Sequence, residues 1–312
     1  MSPAAPQHPP LVVLCGPTAA GKTAAALTLA RHFDLEVISA DSRQVYRLMD
    51  IGTAKPTTAE RAQAPHHLLD VVWPDEAFDA ARYAALATAA IEGVLTRGRL
   101  PVLVGGTGLY IRALTEGLVA TPGADPVVRR RLEALAAAEG SAALHRRLAE
   151  IDPPAARLLH PNDRVRIVRA LEVFELTGQP LSAWQQDHGF RERRYRLLKI
   201  GLAPPRAELY RRIDARAAAM RDGGLPEETA ALLTAGYAPQ LKALQTIGYR
   251  EAVRLLTGKC TREEALGELQ QATRRYAKRQ LTWFRADSEI IWVDSAANFD
   301  NIIMLIDKFH AV

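Results

Sequence analysis

The chain has 312 residues, enough for one large domain or two smaller ones, and its 48% hydrophobic and 24% charged content is ordinary for a globular protein. No apolar run approaches the roughly 20 residues of a membrane span, so no membrane contact is expected, and Cys15 and Cys260 lie too far apart for a metal or redox pair, which points to the cytoplasm. The net charge of +5 is uneven: residues 1–120 carry 10 Lys and Arg against 11 Asp and Glu, whereas residues 121–312 carry 30 against 24. That arginine-rich excess favours a polyanionic partner and equally fits solvated helix faces.

Residues 1–10 hold four prolines and lack a basic start or an apolar stretch, so they read as a loose leader and not as a signal peptide. Residues 11–15 form an apolar strand, followed by a glycine-containing loop and an Ala- and Leu-rich helix over 22–32. Strands follow over 36–40 and 100–104, with a helix over 80–96 between them. This alternation predicts a parallel sheet flanked by helices, with chemistry beyond the carboxyl ends of the strands. The second strand is expected to return beside the first.

Pro122-Gly123 and Asp125-Pro126 mark a change of pattern. Helices are expected over 127–139, 141–151 and 164–176, the last after the breaker Asp152-Pro153-Pro154, with no strand between them. Residues 121–194 are therefore read as an all-helical insertion domain between two parts of the core, 11–120 and 195–312. A strand at 195–202 returns to the sheet. A helix over 206–222 ends at Gly223-Gly224. Thr261 and Glu264 form a capping box for a long helix through Trp283, and 290–293 reads as a last strand.

The loop Gly16-Pro17-Thr18-Ala19-Ala20-Gly21-Lys22-Thr23 sits between strand and helix as a P-loop must. Gly16 and Gly21 let the backbone turn its N–H groups around an anion, Lys22 adds a point charge, and Thr23 offers a hydroxyl to a magnesium ion. The pattern specifies a bound di- or triphosphate. It leaves open whether that group is an energy source, a phosphoryl donor or a leaving group, and whether ATP binds at all.

Asp41 follows the second strand directly, where a carboxylate can serve as general base, magnesium ligand or substrate anchor. The strand at 100–104 ends in Gly105-Gly106-Thr107-Gly108 without the acidic residue that many P-loop phosphotransferases carry there. Such glycines admit either a tight turn or a bulky ligand close to the backbone. Arg212 and Arg216 share a helix face and could neutralise charge on a leaving group. Basic clusters at Arg129–Arg131, at Arg164, Arg166 and Arg169, and at Arg274–Arg279 suit nucleic acid or a solvated face. His66-His67 are adjacent and do not have the spacing of helical metal ligands.

The residues now on the page resemble those of the tRNA dimethylallyltransferases. The resemblance is carried by the P-loop, Ala40-Asp41-Ser42-Arg43-Gln44-Val45-Tyr46, Met49-Asp50-Ile51-Gly52-Thr53-Ala54-Lys55-Pro56, Pro65-His66-His67-Leu68-Leu69-Asp70 and Val104-Gly105-Gly106-Thr107-Gly108-Leu109-Tyr110. It continues through His160-Pro161-Asn162-Asp163, Arg169-Ala170-Leu171-Glu172, Ile247-Gly248-Tyr249-Arg250 and Ala277-Lys278-Arg279-Gln280-Leu281-Thr282-Trp283-Phe284-Arg285. The matches run in order from residue 16 to 285, and the zinc-finger extension of eukaryotic members is absent, so a bacterial-type enzyme is implied.

The resemblance implies a P-loop NTPase-like fold. The implied reaction is magnesium-assisted transfer of a dimethylallyl group from its diphosphate to the exocyclic amine of the tRNA adenosine immediately 3′ of the anticodon. Asp41 is then the base that takes the amine proton. Gly16, Pro17, Thr18, Ala19, Ala20, Gly21, Lys22 and Thr23 hold the diphosphate with Arg216, and Thr18 lies at its bridging region. Implied tRNA contacts are Asp41, Ser42, Arg43, Gln44, Thr107, Arg129, Val165, Arg166, Ile167, Val168, Arg169, Gln245, Thr246, Ile247, Gly248, Tyr249 and Arg250. The helical insertion would grip the anticodon arm, and a monomer is expected. The competing readings are a small-molecule kinase and a non-catalytic RNA-binding protein switched by a nucleotide.

Overall fold

A computed structural model describes residues 8–189, 193–294 and 299–311. The chain divides into two compact units, Met1–Thr115 with Arg193–Val312, and Glu116–Glu192. Among the described residues no helix is long and apolar enough to cross a membrane.

In the first unit, β1 (Pro10–Cys15), α1 (Lys22–Leu29), β2 (Leu35–Ala40), α2 (Thr58–Arg61), β3 (His66–His67), α3 (Ala80–Thr96), β4 (Leu100–Gly105) and α4 (Gly108–Thr115) precede the second unit. The second unit contains α5 (Pro126–Glu139), α6 (Ser141–Ile151), α7 (Pro153–Leu158), α8 (Arg164–Thr177) and α9 (Leu181–His188). The first unit then resumes with β5 (Arg196–Leu202), α10 (Arg206–Asp222), α11 (Leu225–Thr234), α12 (Tyr249–Leu256), α13 (Arg262–Arg285), β6 (Ile291–Val293) and α14 (Phe299–His310).

Six strands form one sheet in the order β3-β2-β4-β1-β5-β6, and every pairing is parallel. This corrects the expectation that β2 neighbours β1, because β4 lies between them. Gly105 is in register with Cys15 on one side and Ala40 on the other, so all three strands end level. The loop after β1 and Asp41 after β2 therefore leave the sheet at the same rim. The short edge strand β3 has no sequence signal of its own, being two histidines with no apolar alternation.

The strands are apolar because both faces of the sheet are covered. Val12, Leu14, Val37 and Val102 pack against Ala26 and Leu29 of α1 and Ile302 and Ile306 of α14. Leu11, Val13, Ile38 and Leu103 pack on the opposite face with Tyr83, Ile91, Leu114 and Phe284. Burying each large apolar side chain contributes about 1.5–3 kcal/mol. Helix starts follow their caps: the Asp79 side chain accepts from Arg82 N, and Thr261 with Glu264 closes a capping box on α13.

The second unit buries Leu132, Leu144, Leu148, Ile167 and Leu171 in a core of its own. The sequence Asp152-Pro153-Pro154, read above as a breaker, also starts a helix. Asp152 caps α7 by accepting from Ala155 N, and the prolines occupy the first helical positions, where no N–H is needed.

Candidate active site

The P-loop runs from the tip of β1 into α1. Gly16 has φ 140°, and a Cβ there would collide with the Leu202 carbonyl, so no other residue fits. Gly21, at φ 93°, occupies the cap position of α1 without a side-chain partner for the helix N–H groups. Those N–H groups and the helix dipole form an anion cradle. The Lys22 ammonium donates to Gly16 O at 3.0 Å and Pro17 O at 2.8 Å. Burial pulls its pKa down to about 8; the Asp41 carboxylate opposes that shift and the positive charge of Arg216 adds to it.

Lys22, Thr23, Asp41, Gln44, Arg216 and Tyr276 line one cavity of about 230 Å³. The Asp41 carboxylate accepts from Arg43 N at 2.8 Å, which fixes the turn after β2. Thr107 ties this turn to the tip of β4: its N donates to Ala40 O at 3.1 Å and its Oγ1 accepts from Ser42 N at 3.0 Å. Tyr276 of α13 lines the same cavity, and burial followed by the Asp41 charge pushes its phenol up to about 12. Arg216 of α10 reaches the cavity with no hydrogen-bond or ion-pair partner among the described residues. Burial lowers its pKa, with Glu60 opposing. Arg212, one turn earlier, is held by Glu208 at 2.6 Å. The arrangement thus sets two cations and an anion cradle across a single cavity from a carboxylate.

The glycines after β4 serve the protein's own helix. A Cβ on Gly106 would overlap Gln280 and one on Gly108 would overlap Trp283, both from α13. Gln280, 6% exposed, accepts from Thr18 N at 2.8 Å and donates to Gly106 O at 2.8 Å. It therefore pins the P-loop to the tip of β4. Sequence reasoning assigned it no role, although a Gln on the buried face of an amphipathic helix, four residues after Tyr276, was a usable signal.

The family model for IPP transferases matches residues 44–287. This chain belongs to the IPP transferase family. It is 54% identical to a tRNA dimethylallyltransferase of Geobacter metallireducens over 300 residues, which is 96% of this chain and 97% of the relative. It is 52% identical to one of Geobacter sulfurreducens, covering 96% of each. A tRNA isopentenylpyrophosphate transferase from Bacillus halodurans superposes with a TM-score of 0.70 at 44% identity, covering 97% of this chain and 95% of that one. A eukaryotic dimethylallyltransferase acting on tRNA superposes with a TM-score of 0.81 at 27% identity, covering 97% and 80%. The resemblance drawn from the motifs is borne out, and the kinase reading is not favoured.

The IPP transferase motifs distribute unevenly over surface and core. Asp41, Ser42, Arg43, Gln44 and Thr107 cluster at the rim of the sheet, and the Gln44 side-chain amide donates to Ala54 O at 3.1 Å. In the second unit, Val165 and Arg166 are exposed, and Arg129 and Arg169 both donate to the buried Glu172 at 2.8 Å. Ile167 and Val168 are corrected: they are 0% and 4% exposed in that unit's core, so their side chains cannot meet a partner. The side chains of Thr246 and Tyr249 are likewise buried, and Gly248 is buried as a whole, while Gln245 and Arg250 stay exposed and Ile247 is half-buried. Periodicity hides this because a short helix start alternates surface and core within six residues. Among the described residues no cluster of three or more His, Cys, Asp or Glu could hold a metal by itself. The His67 Nε2 lies 2.6 Å from a Glu36 carboxylate oxygen.

Proposed function

We propose that this chain transfers a dimethylallyl group from dimethylallyl diphosphate to the N6 amine of the adenosine 3′-adjacent to the anticodon in tRNA, releasing diphosphate. The observation that carries the reading is the single cavity shared by the P-loop, Arg216 and the Asp41 carboxylate. It has a place for a leaving diphosphate and a place for a proton acceptor. The tip of β4 has glycines where a phosphotransferase would carry an acidic residue, which costs nothing when no phosphoryl group moves.

The P-loop N–H groups and Lys22 bind the diphosphate, with Thr18 at its bridging region. Arg216 meets the charge that grows as the allylic C–O bond breaks and its electron pair stays with the diphosphate. The N6 nitrogen forms the new bond to carbon, and the amine proton goes to the Asp41 carboxylate. The target base must leave its stack to enter the cavity. A magnesium ion would be held by the Thr23 hydroxyl on this cavity together with the diphosphate, which leaves the Asp41 carboxylate free as the proton acceptor. When bound, such an ion supplies further charge neutralisation for the diphosphate.

Ser42, Arg43, Gln44 and Thr107 at the rim, together with Gln245, Ile247 and Arg250, are the contacts offered to the anticodon loop by the first unit. Arg129, Val165, Arg166 and Arg169 are those of the helical unit, which grips the anticodon arm. The enzyme acts as a cytoplasmic monomer. The test incubates the protein with unmodified tRNA, dimethylallyl diphosphate and magnesium, followed by nucleoside mass analysis. A dimethylallylated adenosine supports the reading. Phosphorylated acceptor formed from labelled ATP, or tRNA binding that depends on ATP without modification, overturns it.

A further inference from the structure

The segment Asp50-Ile51-Gly52-Thr53-Ala54-Lys55-Pro56 has no part in the chemistry above, yet Thr53, Ala54 and Pro56 line the cavity. Its backbone is costly to hold. Leu48, Ala54, Leu68 and Asp70, in and beside it, all have φ between 50° and 64°, a conformation non-glycine residues rarely adopt. Something must over-determine it. Lys55, buried, donates to Tyr46 O at 2.9 Å, Asp50 at 2.5 Å and Asp70 at 2.6 Å, clamping one end of the segment.

The other end is held from α11. The Glu228 carboxylate accepts from Asp50 N at 2.9 Å, Ile51 N at 2.9 Å and Gly52 N at 3.3 Å. Its Oε1 also accepts from Tyr249 Oη at 2.5 Å. Tyr249 is 0% exposed and lies flush on this segment, where a Cβ on Gly52 would overlap its ring. Beyond Gly52, the carbonyls of Thr53 and Ala54 accept from the Gln44 amide, whose Oε1 accepts from Ser39 Oγ at 3.1 Å. A continuous set of hydrogen bonds therefore runs from Tyr249 through Glu228 and the 50–54 backbone to the stretch that carries Asp41.

We propose that Glu228, supported by Tyr249, is a positioning residue for the transfer reaction: it fixes the 50–56 segment as a wall of the cavity and thereby keeps water from the allylic carbon. The inference rests on the prenyl-transfer reading. It also gives Tyr249 a role that its burial allows, acting through the wall and not by touching RNA. With the wall loosened, water competes with the amine. The C–O bond breaks, water oxygen bonds the allylic carbon, its proton goes to solvent, and dimethylallyl alcohol and diphosphate are released.

The test uses full-length Glu228→Gln and Tyr249→Phe with tRNA, dimethylallyl diphosphate and magnesium, and reads diphosphate released per adenosine modified. The wild-type ratio is one; the ratio rises severalfold in Glu228→Gln and less in Tyr249→Phe. Transfer turnover falls about 10- to 100-fold in Glu228→Gln, the cost of a small misplacement, while tRNA affinity holds. Hydrogen exchange at the amides of 50–52 speeds up in the same variant. Unchanged exchange, a ratio that stays at one, or a Tyr249→Phe defect confined to tRNA affinity overturns the proposal. Should Glu228→Gln fold poorly, Tyr249→Phe and Gly52→Ala decide by the same ratio. A wild-type protein that modifies no adenosine sinks the transfer reading itself, which is a different result from variants that match an active wild type.

Discussion

Replacing Arg216 by Gln removes one positive group from the cavity and leaves the P-loop and Asp41 in place. The side chain has no partner to lose among the described residues, so the change orphans nothing in the free protein. Its effect should fall on charge that develops during reaction. A preorganised donor aimed at such charge is worth about 10²–10³ in kcat, and that loss is expected with tRNA affinity intact. A second effect follows from Lys22. Its pKa is pulled from 10.5 down to about 8 by burial, with Arg216 adding to the shift. The ammonium is charged below about 8 and neutral above it, so kcat/KM for the allylic diphosphate should fall as pH rises through that value. Without Arg216 a like charge is gone. The alkaline limb should then move upward, yet stop short of 10.5 because burial remains. Single-turnover modification assayed across pH reads both effects. A variant with normal kcat and weakened tRNA binding, or with an unmoved limb, would refute the leaving-group role.

Asp41→Asn should lose about 10²–10⁴ in turnover while a filter-binding assay finds tRNA bound as in wild type; full turnover would remove Asp41 as the base. Gln280→Leu leaves the buried Gly106 O without a partner, at about 1–3 kcal/mol, and frees Thr18 N at the cavity wall. Its urea midpoint should drop and diphosphate affinity weaken, and calorimetry finding unaltered diphosphate affinity would mean the loop stands without it. Glu36, 2% exposed, is held down to about 2 by Arg97 first, then His67 and Arg99. Its folded pKa lies below the ordinary 4.5, so its contribution is complete above 4.5 and disappears as pH falls toward 2. Thermal unfolding of Glu36→Gln should be less stable at neutral pH and flatter across that acid window; parallel curves would contradict this.

Local chemistry was legible in the residues and spatial order was not. The P-loop, the cap at Thr261 and the long α13 follow from near-neighbour rules that act within one turn or one loop. The position of β4 between β1 and β2 is set by how helices cover both faces of the sheet, which no single segment encodes. Asp41 still reached the expected rim because parallel strands end together whatever their order. Gln280 and Glu228 were assigned no role for a related reason. Gln280 and Glu228 have partners on distant elements: Thr18 is 262 residues from Gln280, and Ile51 is 177 from Glu228. The burial of Tyr249 and Ile167 likewise depends on neighbours far along the chain.

Because β4 stands between β1 and β2, and adjacent strands are spaced about 4.8 Å, the diphosphate cradle and the carboxylate are anchored roughly 10 Å apart along the sheet edge. Bare backbone at Gly105 and Gly106 floors the gap. The interposed strand acts as a caliper: it sets the reach between what departs and what receives the proton, and had the two strands been neighbours that reach would have been halved.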